Sequence, residues 1–304
     1  MTRQPLGPAA ANLICVVSML MWSAGLPASS YLIPLLPPLS LSGARMTLAA
    51  LTLLPLWLLL EGTGALRNAS WLRGIWVGTM IALGGLLLVI GQTMTDAVTL
   101  AVITTSMPIM GIALEVVFDG RKLTLPVILG TILALVGSLV AMGSNLGGPS
   151  FGLGALLCFG SVFSFTLGSR LTVTAFPTLT PLGRTTITIC GAAIATVIAA
   201  ATQISLGSEI PDFSALGLKG FAALTFFAVI GLAIHQLLWI TSVSSLGIGV
   251  SAMHVNATPF YVMAIFFALG SPWIWTQAIG AAIVGLGVLI AQSIIPLSKR
   301  SVTL

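Results

Sequence analysis

The side chains able to bind or ionise are few, and most sit in places that make them informative. Arg45, Glu115, Arg184, His235 and His254 fall inside long apolar runs, with Asp96 at the edge of one. Charge inside an apolar run is costly. Such residues pair, face a wet interior, or do work. His235 is the deepest of them and His254 the next; each can hydrogen-bond a substrate carboxylate, or a neighbouring Ser or Thr as a packing residue. Glu115 lies near the end of its run, within reach of Arg121, Lys122 or Arg73. Arg45 and Arg184 lie near opposite membrane faces and read as snorkelling anchors, with a gating role the alternative. Paired acids, an H-E-x-x-H motif and a Cys/His dyad are all missing, and the two histidines lie in different runs. These features argue against an enzyme and against a bound metal or cofactor. Cys15, Cys158 and Cys190 have no paired spacing and read as small packing residues. No cluster of Lys and Arg awaits a phosphate, so a neutral, zwitterionic or aromatic small molecule suits the lining.

The aromatic and amide side chains suggest where such a molecule would rest. Trp22–Ser23 and Phe163–Ser164 occupy related places in two runs, and their rings can form opposite walls of an apolar cavity. Ring contacts of this kind are worth about 0.5–1.5 kcal/mol each beyond area burial. The plainer reading is that they fill helix interfaces or face lipid. Trp239 is a third candidate, and Gln92 and Asn256 are neutral hydrogen-bonders deep enough to line a pathway. Trp57, Trp71, Trp76, Trp273 and Trp275 read as interfacial anchors. Pro108 and Pro259 each lack an amide hydrogen and free the carbonyl four residues back, at Thr104 and Val255. That group must find protein or water. Thr105, Ser106, Asn256 and Thr258 stand ready to supply it, which predicts two kinks beside the pathway.

The elements that must carry these residues are membrane helices. Hydrophobic residues make up 57% of the 304 and charged ones only 6%, whereas a soluble domain is about a quarter charged. A spanning helix needs about 20 apolar residues. Runs of that length occur at 11–34, 39–60, 72–93, 97–118, 123–143, 151–172, 179–203, 217–240, 248–269 and 273–295. A membrane barrel would instead show short alternating segments. With both ends cytoplasmic, the inner segments carry Arg3, Arg67, Arg73, Arg121, Lys122, Arg170, Lys299 and Arg300. The outer face keeps Lys219 and Arg45, with Asp96, Glu209 and Asp212. The positive-inside rule selects that orientation, so the net charge of +5 needs no nucleic acid to explain it. Lipid is the expected surrounding, in a bacterial inner membrane. Gly74 and Gly78 form a small-xxx-small pattern that does not set an oligomeric state.

The second five runs echo the first five in order. Pro38–Leu39–Ser40 with Gly43–Ala44–Arg45 is matched by Pro177–Thr178–Leu179 with Leu182–Gly183–Arg184. Thr105–Ser106–Met107–Pro108 is matched by Asn256–Ala257–Thr258–Pro259, and Gly130 and Gly137 by Gly280 and Gly287. Five spans per unit would put the second unit upside down relative to the first, a common way to build a transporter. The expected fold is therefore all-α and integral to the membrane. It has ten transmembrane helices in two inverted five-helix repeats, at 11–143 and 151–296. A loop at 144–150 joins them, and cytoplasmic tails occupy 1–10 and 297–304.

The stretch Ala97–Val98–Thr99–Leu100 through Thr105–Ser106–Met107–Pro108–Ile109, followed by Gly120–Arg121–Lys122–Leu123–Thr124 and a Gly130-containing run, resembles the EamA repeat of the drug/metabolite transporter superfamily. Trp22–Ser23 and Arg45 fit the same pattern. The resemblance covers the chain as two such repeats and is greatest to the YddG-type aromatic amino acid exporters. It implies export of small metabolites, aromatic amino acids foremost, by alternating access, with a broader drug or metabolite exporter as the neighbouring reading. An assembly subunit without a pathway is the reading from another class. The chain departs from the family in having Arg121 and Ser271 where a Glu is common. Its first run also lacks the Glu that small multidrug relatives use for proton exchange.

Overall fold

The computed structural model describes residues 6–92, 94–95, 103–142 and 152–293. Asp96, most of the run before Thr104, the loop at 144–150 and the tail at 297–304 lie outside the described residues. Among the described residues every regular element is helical. The elements are α1 (Pro8–Leu32), α2 (Pro38–Arg67), α3 (Trp71–Gln92), α4 (Met107–Asp119), α5 (Leu125–Met142), α6 (Leu153–Thr174) and α7 (Pro181–Ser205). A 3-10 turn (Phe213–Leu216) leads into α8 (Gly217–Ala228), a π-helical turn (Val229–Ile234) and α9 (His235–Leu246). Then come α10 (Ile248–Val255), α11 (Thr258–Ala268) and α12 (Trp275–Ala291).

Local sequence sets several boundaries. Prolines open α1, α2 and α7, where a missing amide hydrogen costs nothing and the fixed φ suits a first turn. The Thr180 hydroxyl caps α7 by accepting the Gly183 amide at 3.1 Å, satisfying one of the free donors at a helix start. Gly247 separates α9 from α10 with φ +81, and a Cβ there would collide with the Glu115 carboxylate. Only glycine fits both demands.

Among the described residues, six helices are long and apolar enough to cross a membrane. The pair α10–α11, bent by 40°, makes a seventh if counted as one span, and α5 and α12 are shorter apolar helices. The helices pack in a few extensive pairs: α5 on α12, α2 on α7, α3 against both α6 and α7, and α4 on α10. α1 lies along α8, the π turn and α9. Small residues allow the closest approaches. Gly130 meets Gly287 and Gly137 meets Gly280, so that a side chain on any of the four would run into the facing helix. Gly74 and Gly78 serve α3 on α7 in the same way. The small-xxx-small pattern is thus used within the chain. Between apolar lipid tails, such backbone proximity and its dispersion contacts hold helices together.

One expectation needs correcting. Trp57 is no interfacial anchor. It is fully buried, packs on Gly183 and Trp71, and donates its indole N–H to Glu61 at 3.1 Å. Trp76 and Trp275 are largely exposed, in keeping with interfacial positions.

Candidate functional site

Trp22 and His235 come together. The indole on α1 lies 5.3 Å from the imidazole, centroid to centroid, with the planes at 39°. His235 is the first residue of α9, directly after the π turn, whose Gly231 packs on Gly25 of α1. π turns are rare and frequent at functional sites because they re-aim the residues that follow. The His235 Nδ1 lies 2.9 Å from the Ser18 carbonyl, while the Ser18 hydroxyl donates to the His235 carbonyl at 3.0 Å. That network assigns the proton to Nδ1 and leaves Nε2 as an acceptor. Beside these residues, the Ser23 hydroxyl and the Gln236 Nε2 are buried without a protein partner. Buried polar atoms nearly always have one, so orphans mark places meant for water or a ligand.

Arg45 completes the cluster. Its guanidinium stacks over Phe227 at 4.4 Å and stands 6.0 Å from the Trp22 ring. Such contacts are worth about 0.5–2 kcal/mol, while placing an arginine within a span costs about 2.5–3.5 kcal/mol. The ion pairs among the described residues are Glu115–Arg121 and Asp119–Arg170, so Arg45 has no carboxylate there. Its charge is left under-compensated.

The other predicted residues have separate settings. Trp239 is fully buried, donates to the Ser169 hydroxyl at 3.1 Å and stacks on Phe165 at 6.4 Å. It lies in the main apolar core with Met19, Met110 and Tyr261. Phe163 is 44% exposed and borders, with Met110, Ala113, Leu114, Val117 and Phe118, an apolar groove of about 280 Å³. The ring that α6 sends to α9 is instead Phe165. Gln92 ends α3, and its side chain lies outside those described. Asn256 is buried in the break between α10 and α11. Its amide donates to the carbonyls of Thr105 (3.4 Å) and Ala134 (3.3 Å), while its Oδ1 has no partner. Pro259 bends the chain as its chemistry requires, and the Thr258 hydroxyl takes up the freed Val255 carbonyl at 2.6 Å. Pro108 sits in the first turn of α4, after Ser106 has donated to the Ile103 carbonyl at 2.6 Å. His254 is a packing residue whose Nδ1 faces the Val250 carbonyl at 3.3 Å.

Polar contacts tie several helix ends together. The buried Glu115 carboxylate pairs with Arg121 and accepts the Gly249 amide at 3.3 Å, where a negative charge also favours the start of α10. Arg170 grips Asp119 through two nitrogens, and Arg73 donates to the Ala175 carbonyl at 3.0 Å. Asn12 and Gln292 exchange hydrogen bonds at 2.8 and 2.7 Å, so the start of α1 and the end of α12 adjoin. Sequence reasoning found Glu115 and its partner. It missed the π turn, Ser18 and Phe165, none of which has a local signature; the cation of Arg45 was visible but its isolation was not.

Residues 9–143 match the EamA-like transporter family. An uncharacterized transporter of Bacillus subtilis (strain 168), YyaM, is 31% identical over 121 residues, which are 40% of this chain and 38% of that relative. The aligned stretch thus spans well under half of the curated relative's length. A protein of known crystal structure, 17% identical, superposes with a TM-score of 0.77 over 95% of this chain and 98% of its own; at that identity the likeness concerns the fold alone. The chain is a multi-pass membrane protein, and its residues 9–143 are similar to the EamA-like transporter family.

Proposed function

We propose that the protein is an exporter of aromatic amino acids. Ten spans form two inverted five-helix repeats, and both termini are cytoplasmic. The observation that carries the reading is the Trp22–His235 pair, an aromatic wall near the middle of two long spans, contributed by the two halves of the chain. Substrate sites in inverted-repeat transporters lie at such a junction. An aromatic ring can stack on the indole, while the Nε2 of His235 accepts a hydrogen bond from an ammonium. Trp239 and Phe165 back the site from the core.

The helix contacts support the inverted repeat. Gly130 echoes Gly280 and Gly137 echoes Gly287, yet the contacts run between Gly130 and Gly287 and between Gly137 and Gly280. A two-fold axis between α5 and α12 exchanges these two contacts. Likewise Ser18 donates to the His235 carbonyl as Ser161 donates to the Gly84 carbonyl at 2.6 Å, and Gly25 packs on Gly231 as Gly168 packs on Ile81. Ser18 therefore corresponds to Ser161 and Gly25 to Gly168, which makes Phe165 rather than Phe163 the counterpart of Trp22. Asn256 touching Thr105 joins two further positions that echo one another.

Alternating access suits this proposed architecture. The two units rock about the axis, and the clasp of Glu115, Arg121, Asp119 and Arg170 must release for the pathway to reach the cytoplasm. The kinked segments at Pro108 and Pro259 supply the bend. The test is uptake of labelled phenylalanine into proteoliposomes, with and without an imposed pH gradient. Saturable flux that unlabelled tryptophan competes away, and that Trp22→Ala lowers about tenfold, is expected. Flux no higher than in protein-free liposomes under both conditions sinks the reading.

A further inference from the structure

The Arg45 guanidinium has company but no counter-charge. Its neighbours are the face of Phe227 at 4.4 Å, the Trp22 ring at 6.0 Å and, through Trp22, the imidazole of His235. Among the described residues no hydrogen bond or carboxylate occupies any of its five N–H donors. The side chain is half-buried. The corresponding Arg184 behaves differently, with its donors spent on the Phe176 and Pro177 carbonyls at 2.8 and 3.2 Å. A location at the start of a span therefore does not by itself leave an arginine unbonded.

A planar guanidinium held flat against an aromatic ring keeps its edge free, and that edge matches a carboxylate with two parallel hydrogen bonds. A single such group, with no second cation beside it among the described residues, suits a monoanion. A phosphate would draw a cluster. Two partnerless buried polar groups, the Ser23 hydroxyl and the Gln236 Nε2, adjoin Trp22 and His235 in the chain, and Gln236 can supply a further donor to an anion.

We infer that Arg45 is the carboxylate-binding group of the substrate site, gripping the α-carboxylate of an amino acid whose side chain lies against Trp22. The inference deepens the exporter reading and rests on it for the amino acid, while the recognition of a carboxylate beside an aromatic ring can be tested alone.

The probes are phenylacetate, which joins a ring to a carboxylate, and phenethylamine, which joins a ring to an ammonium. Binding to the full-length protein in nanodiscs is measured by calorimetry. Phenylacetate should bind at least about tenfold tighter than phenethylamine. Arg45→Gln should weaken phenylacetate about tenfold or more, the size of one lost charge-assisted pair, and abolish the preference. Arg45→Lys should retain part of it. Trp22→Ala should weaken both probes and keep the preference. An unchanged melting temperature of Arg45→Gln separates lost binding from lost folding. Equal binding of the two probes, no binding of either, or phenylacetate affinity untouched by Arg45→Gln overturns the assignment. Phenylacetate binding that needs Arg45, together with no phenylalanine flux, overturns the amino acid reading and leaves the carboxylate site. Phenylalanine flux that Arg45→Gln leaves unchanged does the reverse.

Discussion

Arg45 and Arg184 each lie near the start of a long helix, seven and three residues past its opening proline, and their surroundings differ sharply. Arg184 donates to the Phe176 and Pro177 carbonyls and stands 3.5 Å from the Ser244 hydroxyl. These carbonyls lie just past the end of α6, where the helix dipole favours a cation. Arg45 meets only ring faces. The lesson is that a charge in a membrane protein is an anchor when backbone oxygens spend its donors. When aromatic faces hold it and leave its edge free, it is a binding group. The polar clasp around Glu115 and Asp119 belongs with Arg184, since Arg121 and Arg170 each have a carboxylate partner.

That contrast predicts a ranking of stabilities. The largest loss should come from Arg170→Ala, which strands Asp119 and removes the stack on Phe118. Losing one partner of a buried pair costs about 3–5 kcal/mol. Because the Asp119 side chain is partly exposed, about 2 kcal/mol is expected, read from chemical unfolding in nanodiscs. Arg184→Ala should follow at about 1–2 kcal/mol, the net worth of its lost carbonyl bonds. Arg45→Gln should stay within about 0.5 kcal/mol of the parent protein, since it removes a charge that the membrane interior penalises. If Arg45→Gln destabilised the fold as much as Arg184→Ala, the distinction between the two arginines would collapse.

The smallest effect belongs to the far end of the bundle, where Asp212 caps the 3-10 turn. Its carboxylate accepts the Ser214 hydroxyl at 2.6 Å and the Ser214 amide at 2.9 Å, and these bonds hold its pKa below the ordinary 3.8. A lowered folded pKa means that the cap stabilises the turn above the ordinary aspartate value and is lost as pH falls through the lowered one. Hydrogen-exchange protection of residues 213–216 should therefore drop in that acid window. In Asp212→Asn the protection should stop depending on pH there.

Much of the fold was legible because lipid imposes a simple rule: long apolar runs must become helices. The breaks at Pro108 and Pro259 were legible too, since a missing amide hydrogen acts locally. Glu115 could be matched to Arg121 from their proximity along one helix end. The register of the two halves was not so visible. Matching Phe163–Ser164 to Trp22–Ser23 rested on residue type, whereas under the proposed repeat the hydrogen bonds of Ser18 and Ser161 pair Trp22 with Phe165. A shift of two positions turns a helix by over half a turn. Phe163 accordingly borders an outer groove, while Phe165 stacks on Trp239.

Composition and hydropathy were enough to specify a helical membrane protein, because they act through the solvent and need no knowledge of contacts. Which polar groups are spent and which are free emerged only from the packing of the helices. The π turn before His235, the aromatic bed of Arg45 and the carbonyl ties of Arg184 all join residues far apart in the chain. A donor's availability depends on what lies across the helix interface, and that is settled when the helices pack.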